Sequence, residues 1–461
     1  MIDKSAHPGP DTTGRRAGLL SPEHRALTIG MLAVVFLVAF EAMAVATAMP
    51  VAVRDLGGLK LYAWAFSAFV TASLFGTVVG GQASDRRGPL LPFVVAVATF
   101  GTGLLVSGTA TTMSQFVVGR GVQGFGAGLN AVLVYVVAGR AYPEIVRPRL
   151  FSLMSAAWVL PAMVGPSIAG VVADTFSWRW VFLGVPPLIV PALALMLPRI
   201  RTLGPPPAAT IQSRLLPAAA AALGVALLQL AGQRLDAWSW PILGVAAVLL
   251  VPSIPRLLPS GTLRARRGLP ATIVMRGILA GAFFGAETFV PLMLVEARGL
   301  ATALAGLALT GGALGWSTGS WLQGRPRASV SRPQFIRRGA GMISLGIAVT
   351  SLALWPVLPA LVAGLGWSVA GLGMGLSMSS VNVLMLSLST ESAQGFNSAA
   401  LQVAEALGSI VFIGLGGAVF AALHTGNASD RTVFLPIFAA MAALALAGVA
   451  LAARLHPDVA T

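Results

Sequence analysis

The sequence predicts an all-α integral membrane protein with fourteen transmembrane helices, grouped six, two and six. Three observations predict it. The 461-residue chain is 56% hydrophobic and 10% charged, with a mean hydropathy of +0.84, whereas a soluble domain carries about 25% charged residues. Its apolar residues come in blocks of roughly 20, the length a helix needs to cross a hydrocarbon core. Strands of a membrane barrel would alternate polar and apolar residues, and these blocks do not. The basic residues are spread through short loops between the blocks, so a formal charge of +15 reads as membrane topology rather than nucleic-acid binding.

The first 25 residues are polar and include Pro8, Pro10, Arg15, Arg16 and Arg25. The apolar run that follows, Ala26 to Val53, exceeds the roughly 7–15 residues of a signal-peptide core. A cytoplasmic tail leading into a retained first helix is therefore expected. Segments 1 to 14 fall at 26–50, 61–82, 90–109, 114–139, 150–173, 178–198, 213–232, 238–256, 269–295, 302–323, 335–355, 358–386, 398–422 and 431–453. With the N-terminus inside, 22 basic residues face the cytoplasm and six face outward: Arg54, Lys60, Arg179, Arg234, Arg298 and Arg431. One missed helix would invert every later loop, so this bias also supports the even count, with both termini cytoplasmic.

Segments 7 and 8 carry no charge in the membrane. Gly204-Pro205-Pro206-Pro207 precedes them and a basic stretch from Arg256 to Arg267 follows. The expected organisation is a tail (1–25), a six-helix half (26–198), a two-helix insert with its linkers (199–268), a second six-helix half (269–454) and a tail (455–461). Internal duplication of this kind is common in transporters, which hold substrate between the repeats.

Several function classes are excluded by composition. There is no cysteine, and His7, His24, His424 and His456 lie in tails or a loop, so no metal-ligand cluster forms. Without a phosphate loop or a serine elbow, neither an enzyme nor an ATP-driven pump is expected, and no cofactor is implied.

Intramembrane charge is the sharpest chemical signal. Glu41, Arg120, Arg276, Glu287 and Glu405 lie inside predicted helices. Each costs about 2.5–3.5 kcal/mol at mid-bilayer on insertion scales, so each calls for a partner, a cavity or a function. A helical rise of about 1.5 Å per residue puts Glu41 roughly 13 Å, Arg120 about 9 Å and Glu287 about 12 Å from the outer ends of their segments. These three are expected to form one outer-level polar site. Arg276 and Glu405 share an inner level about 10 Å above the inner ends and read as a structural charge pair. Gln123, Asn130, Asn382 and Gln402 are candidate cavity polars or helix–helix hydrogen-bonding groups.

Four motifs occur in register: Gly81-Gln-Ala-Ser-Asp85-Arg86-Arg87-Gly88 after segment 2, Arg120-Gly-Val-Gln123-Gly124-Phe-Gly126-Ala-Gly128 in segment 4, Gly165-Pro166-Ser-Ile-Ala169-Gly170 in segment 5, and Glu41 nine residues before Pro50 in segment 1. Together they resemble the major facilitator superfamily, and within it the fourteen-helix drug:proton antiporter branch. Trp178-Arg179-Trp180 opening segment 6 and the two-helix insert fit that branch. The second half carries only a faint echo of the loop motif, at Gly324-Arg325.

The resemblance implies a proton-coupled exporter of amphipathic small molecules or drugs in a bacterial inner membrane, working by alternating access. It places segments 1, 4 and 9 around a central cavity, so Glu41, Gln123, Asn130, Glu287 and Asn382 are expected to line it. Glu41, Arg120 and Glu287 would couple protons, and Gly165, Pro166 and Gly170 would form the antiporter motif. The loop of Gly81, Asp85, Arg86 and Gly88 would gate: an aspartate there can accept hydrogen bonds from a neighbouring helix N-terminus, and that contact must break for the opposite conformation. The expected partners are the lipid bilayer, an amphipathic substrate and protons, with the chain acting as a monomer and no nucleic acid involved. An exporter or flippase of an endogenous lipid, siderophore or metabolite, and a non-transporting scaffold or sensor, stay open as readings. Trp178 and Trp180 read as interfacial aromatics, and Met374, Met378 and Met385 as core packing.

Overall fold

A computed structural model describes residues 19–143, 146–204, 215–234, 237–324, 331–389, 394–424 and 430–456. Every regular element among them is helical. The α-helices are α1 (Arg25–Asp55), α2 (Tyr62–Arg87), α3 (Leu90–Gly108), α4 (Met113–Ala141), α5 (Arg147–Thr175), α6 (Arg179–Leu183), α7 (Pro186–Ile200), α8 (Leu215–Arg234), α9 (Ser239–Leu257), α10 (Leu269–Glu296), α11 (Thr302–Gly324), α12 (Arg332–Ser351), α13 (Leu361–Ser387), α14 (Gln394–Leu423) and α15 (Asp430–Leu451). Twelve described segments are long and apolar enough to cross a membrane. α11 and α12 are not among them: α11 is rich in glycine, serine and threonine, and α12 opens on Arg332, Arg337 and Arg338.

Two boundaries differ from the sequence reading. Segment 6 is broken into α6 and α7 at Gly184–Val185, because Pro186 and Pro187 supply no N–H to continue the ladder. Segment 1 does not end at Pro50. α1 continues to Asp55 with Pro50 inside it, so Glu41 lies about 21 Å from that end of the helix rather than 13 Å.

Small residues set the closest helix contacts. On α4, a Cβ added to Gly124 would sit 2.1 Å from the Phe69 carbonyl oxygen of α2, and one on Gly128 would sit 2.0 Å from that of Ser73. Backbone therefore meets backbone along a Gly-x-x-x-Gly face, the usual device where lipid offers no hydrophobic drive between helices. The second half repeats the arrangement. A Cβ on Gly371 or Gly375 of α13 would sit 2.0 Å from the carbonyl oxygens of Gly312 and Trp316 on α11. This duplication lies in helix packing rather than in the faint loop echo at Gly324-Arg325. Gly128→Val is expected to lose the monodisperse peak on size-exclusion in detergent, since relieving overpacking even in a yielding core costs about 1–3 kcal/mol and here the obstacle is backbone.

The chain packs as two groups, α1–α7 and α10–α15, with the α8–α9 hairpin between them in sequence. α8 packs against both α2 and α14, at the seam where the groups meet. One end of the bundle holds the start of α1, the end of α2 and the end of α15. Here Gly88, with φ of +76°, closes α2, and the Gly268 amide donates to the Arg454 carbonyl over 2.9 Å. The opposite end, called the far face below, holds the α1–α2 and α5–α6 connections. There Asp55 accepts hydrogen bonds from Trp178 Nε1 and Arg179 Nη1, both at 3.0 Å. Trp178 is accordingly buried against Phe116 and Phe182, which corrects its reading as an interfacial aromatic; only Trp180 is exposed.

Candidate functional site

Glu41 and Arg120 meet inside the first group. Arg120 Nη1 donates to Glu41 Oε1 over 2.6 Å and to Gln123 Oε1 over 2.7 Å, and Arg120 Nε donates to the Ala65 carbonyl over 2.9 Å. Its guanidinium lies 4.4 Å from the centre of the Phe69 ring. Neither charge reaches solvent: Glu41 is 0% and Arg120 3% exposed. The geometry follows from the helix register. Arg120 and Gln123 are three residues apart, on one face of α4, and that face is drawn against α2 by Gly124 and Gly128. Two polar atoms of the cluster, Glu41 Oε2 and Gln123 Nε2, have no hydrogen-bond partner, and Asn130 Oδ1, two turns further along α4, has none either.

Glu287 stands apart from this cluster. The expected three-residue site is therefore a two-charge pair plus a separate carboxylate. Glu287 is half-buried on α10 and has neither a hydrogen-bond nor an ion-pair partner among the described residues. Rise along a helix fixes its level but not the direction in which it faces. The next residue links it to the first group: Tyr62 of α2 donates its hydroxyl to the Thr288 carbonyl over 2.7 Å. One turn back on α10, Phe283 packs against Trp316 and Trp367, at 5.5 and 4.7 Å between ring centres, and Phe284 lies 6.2 Å from Trp316. An unpaired carboxylate thus sits one helical turn from an aromatic wall in which Phe284 and Trp316 are only half-buried.

Arg276 and Glu405 pair as expected, with Arg276 Nη2 and Nε 2.5 and 2.9 Å from Glu405 Oε2. Asn382 belongs here rather than with Glu41: it is exposed, and its Oδ1 accepts from Arg276 Nη1 over 3.1 Å. Gln402 is exposed as well, and Met374, Met378 and Met385 are buried core residues.

The antiporter-motif residues of α5 pack against α1 and α11. A Cβ on Gly165 would meet Phe40 of α1 at 3.5 Å. One on Gly170 would meet Ala303 Cα at 2.4 Å, and one on Gly306 of α11 would meet the Pro166 carbonyl oxygen at 2.6 Å. Beside them, Asp174 Oδ2 accepts from the Ala303 amide over 3.0 Å, at the N-terminus of α11. Arg54 Nε donates to Glu296 Oε1 over 2.7 Å, tying the end of α1 to the end of α10. These contacts join the two groups at the far face. In the sequence Arg54 had only a topological meaning; its signal was an acid, Glu296, ending the matching helix of the other half. In the gating loop, Gly81 has room around it, Arg86 is exposed, and the side chain of Asp85 lies outside the described residues.

Comparison with known proteins agrees with this architecture. The model of the Major Facilitator Superfamily matches residues 31–413. The chain belongs to the Major Facilitator Superfamily, and is a multi-pass membrane transporter rather than an enzyme. It is 26% identical over 424 residues to the multidrug transporter protein MdtP of Bacillus subtilis (strain 168), covering 88% of this chain and 77% of that one. It is 24% identical over 440 residues to a protein of Mycobacterium tuberculosis (strain ATCC 25618 / H37Rv) named "Probable multidrug-efflux transporter Rv1634", covering 87% and 88%. Among solved structures, a bacterial homologue of the human lysosomal transporter Spinster, in an inward-facing and occupied conformation, superposes with a TM-score of 0.69 at 12% identity over 95% of this chain and 98% of the other. A POT family peptide transporter gives 0.67 at 16% identity, over 93% and 98%.

Proposed function

We propose that this protein is a proton-driven exporter of amphipathic cations across a bacterial inner membrane, crossing it fourteen times with both termini in the cytoplasm. The observation that carries the reading is the unpartnered carboxylate of Glu287 beside the Phe283–Phe284–Trp316 wall. A lipophilic cation matches both parts, since its charge is attracted to the carboxylate and to aromatic faces while its body fills apolar space. The same carboxylate binds a proton when the cation leaves, so the two ligands exclude one another and exchange follows. Relatives named as multidrug transporters support export of drug-like molecules. In this reading the far face is the outer face, closed by Arg54–Glu296 and Asp174, and α11 and α12 cross the membrane despite their lower apolarity because their polar residues face protein.

Glu41 and Arg120 form the second titratable element. Glu41 Oε2 is available for a proton, and protonation would release Arg120 from its ion pair. The test is efflux of a lipophilic cationic dye from vesicles driven by a pH gradient. Wild type is expected to export, and Glu41→Gln to lose gradient-driven export at equal membrane expression. Absence of dye movement with wild-type protein would overturn the cationic cargo, and equal export by both would remove Glu41 from the coupling.

The far-face contacts carry a further expectation. Exposed ion pairs contribute about 0–1 kcal/mol, and a carboxylate at a helix N-terminus about 0.3–1 kcal/mol. Glu296→Gln combined with Asp174→Asn is therefore expected to shift the population toward the outward-open state by about two- to thirtyfold. Because the chain has no cysteine, labelling of Thr47→Cys by an impermeant maleimide reads the shift directly: Thr47 is fully buried, with its side chain against Gly306 at the seam.

A further inference from the structure

Glu287 sits in a weakened turn of α10. The residue four places on is Pro291, which has no N–H, so the Glu287 carbonyl lacks its donor in the helical ladder and the proline ring presses on that same carbonyl. Thr288 adds to the disturbance. Its Oγ1 donates back to the Phe284 carbonyl over 2.9 Å, a kind of bond that bends helices. In a membrane, such defects are made good by neighbouring helices, and the neighbour here is α2. Tyr62, the first residue of α2, donates its hydroxyl to the Thr288 carbonyl over 2.7 Å.

The bond crosses the seam, because Tyr62 belongs to the first helix group and Thr288 to the second. The buried Tyr62 ring is seated among aromatics of the second group: its centre lies 5.8 Å from that of Phe289 on α10, which lies 6.0 Å from Phe420 on α14. Tyr62 directly follows the α1–α2 connection, so the contact is made at the far face. Opening of that face takes α2 away from α10, and the turn that carries Glu287 then loses its outside support. We propose that Tyr62 is a positioning residue for Glu287: its hydroxyl braces the proline-weakened turn of α10 while the far face is closed and withdraws when that face opens. The state of the seam thereby sets how the carboxylate is presented. This role deepens the proposed function, and rests on it for Glu287 as the coupling carboxylate.

The test is labelling of carboxyl groups by a hydrophobic carbodiimide in the full-length protein in lipid nanodiscs, quantified by mass spectrometry with Glu405 as the internal reference. The far face is first held shut by a short bismaleimide joining Arg54→Cys to Glu296→Cys, a specific crosslink because the chain has no cysteine. Tyr62→Phe keeps the ring and deletes only the hydroxyl. With the seam shut, it is expected to raise labelling of Glu287 relative to Glu405 about fivefold, the ratio one net hydrogen bond supports. Pro291→Ala returns the missing N–H to the ladder, so in that background Tyr62→Phe should change the ratio less than about twofold. A general loosening of the bundle raises both carboxyls together and leaves the ratio where it was. An unchanged ratio in Tyr62→Phe, or the full rise persisting with Pro291→Ala, overturns the proposal. Labelling reads geometry without transport, so dye efflux by uncrosslinked wild type, measured in parallel, separates failure of the brace from failure of the exporter reading.

Discussion

Glu287→Gln is expected to abolish accumulation driven by a proton gradient and to weaken binding of the cationic dye while leaving the protein folded. In one-for-one exchange of a proton for a monovalent cation the membrane potential cancels, and each unit of pH gradient, worth about 1.4 kcal/mol, sustains about a tenfold gradient of the cation. A glutamine takes up no proton, so that factor is lost for each proton Glu287 carries. Folding is spared because the carboxylate has no hydrogen-bond or ion-pair partner among the described residues, and the amide is nearly the same size. The measurement is steady-state dye distribution in vesicles, with thermal unfolding in detergent as the control for folding. A mutant that still builds the wild-type gradient removes Glu287 from the coupling.

Arg120→Met is expected to damage the fold itself. It strands the Glu41 carboxylate, 0% exposed, without its one Arg120 contact, and breaking one side of a buried pair costs about 3–5 kcal/mol. Thermal unfolding in detergent should show a large loss for Arg120→Met. Most of it should return in the double variant Glu41→Leu/Arg120→Met, because replacing both partners with apolar groups of similar size is often nearly neutral. If the single and double variants unfold alike, the pair is not what holds α1 to α4. Transport distinguishes the two roles: the double variant should regain stability and stay inactive.

Much of the architecture was legible because lipid imposes blunt rules. Runs of apolar residues marked helices within a few residues of those observed, and Pro186-Pro187 carried the break between α6 and α7 in plain sight. The site was legible where two residues lie close in depth and on packed helices, as with Glu41 and Arg120 or Arg276 and Glu405. It failed where facing direction decides. Glu287 bonds neither Glu41 nor Arg120 and, because α1 runs on to Asp55, lies about 7 Å nearer its helix end than Glu41 does, and Asn382 sits with Arg276 because α13 turns it there. Trp178 was misread since its partner, Asp55, is more than a hundred residues away in sequence. The Gly371–Gly375 pair of α13 was present in the sequence, and the same spacing that drew notice at Gly124–Gly128 would have found it.

The paired glycine faces on α4 and α13 also have a mechanical meaning. Where backbone rests on backbone there is no side chain to yield, so α2 with α4, and α11 with α13, behave as stiff plates. The far-face joins are mixed: a half-solvated arginine with a glutamate and one helix-end hydrogen bond stand beside close backbone contacts of Gly170 with Ala303 and of Gly306 with Pro166. The polar joins alone part at little expense, about 0–1 kcal/mol each. Rigidity therefore follows the glycines, which bind α2 to α4, α11 to α13 and, across the seam, α5 to α11.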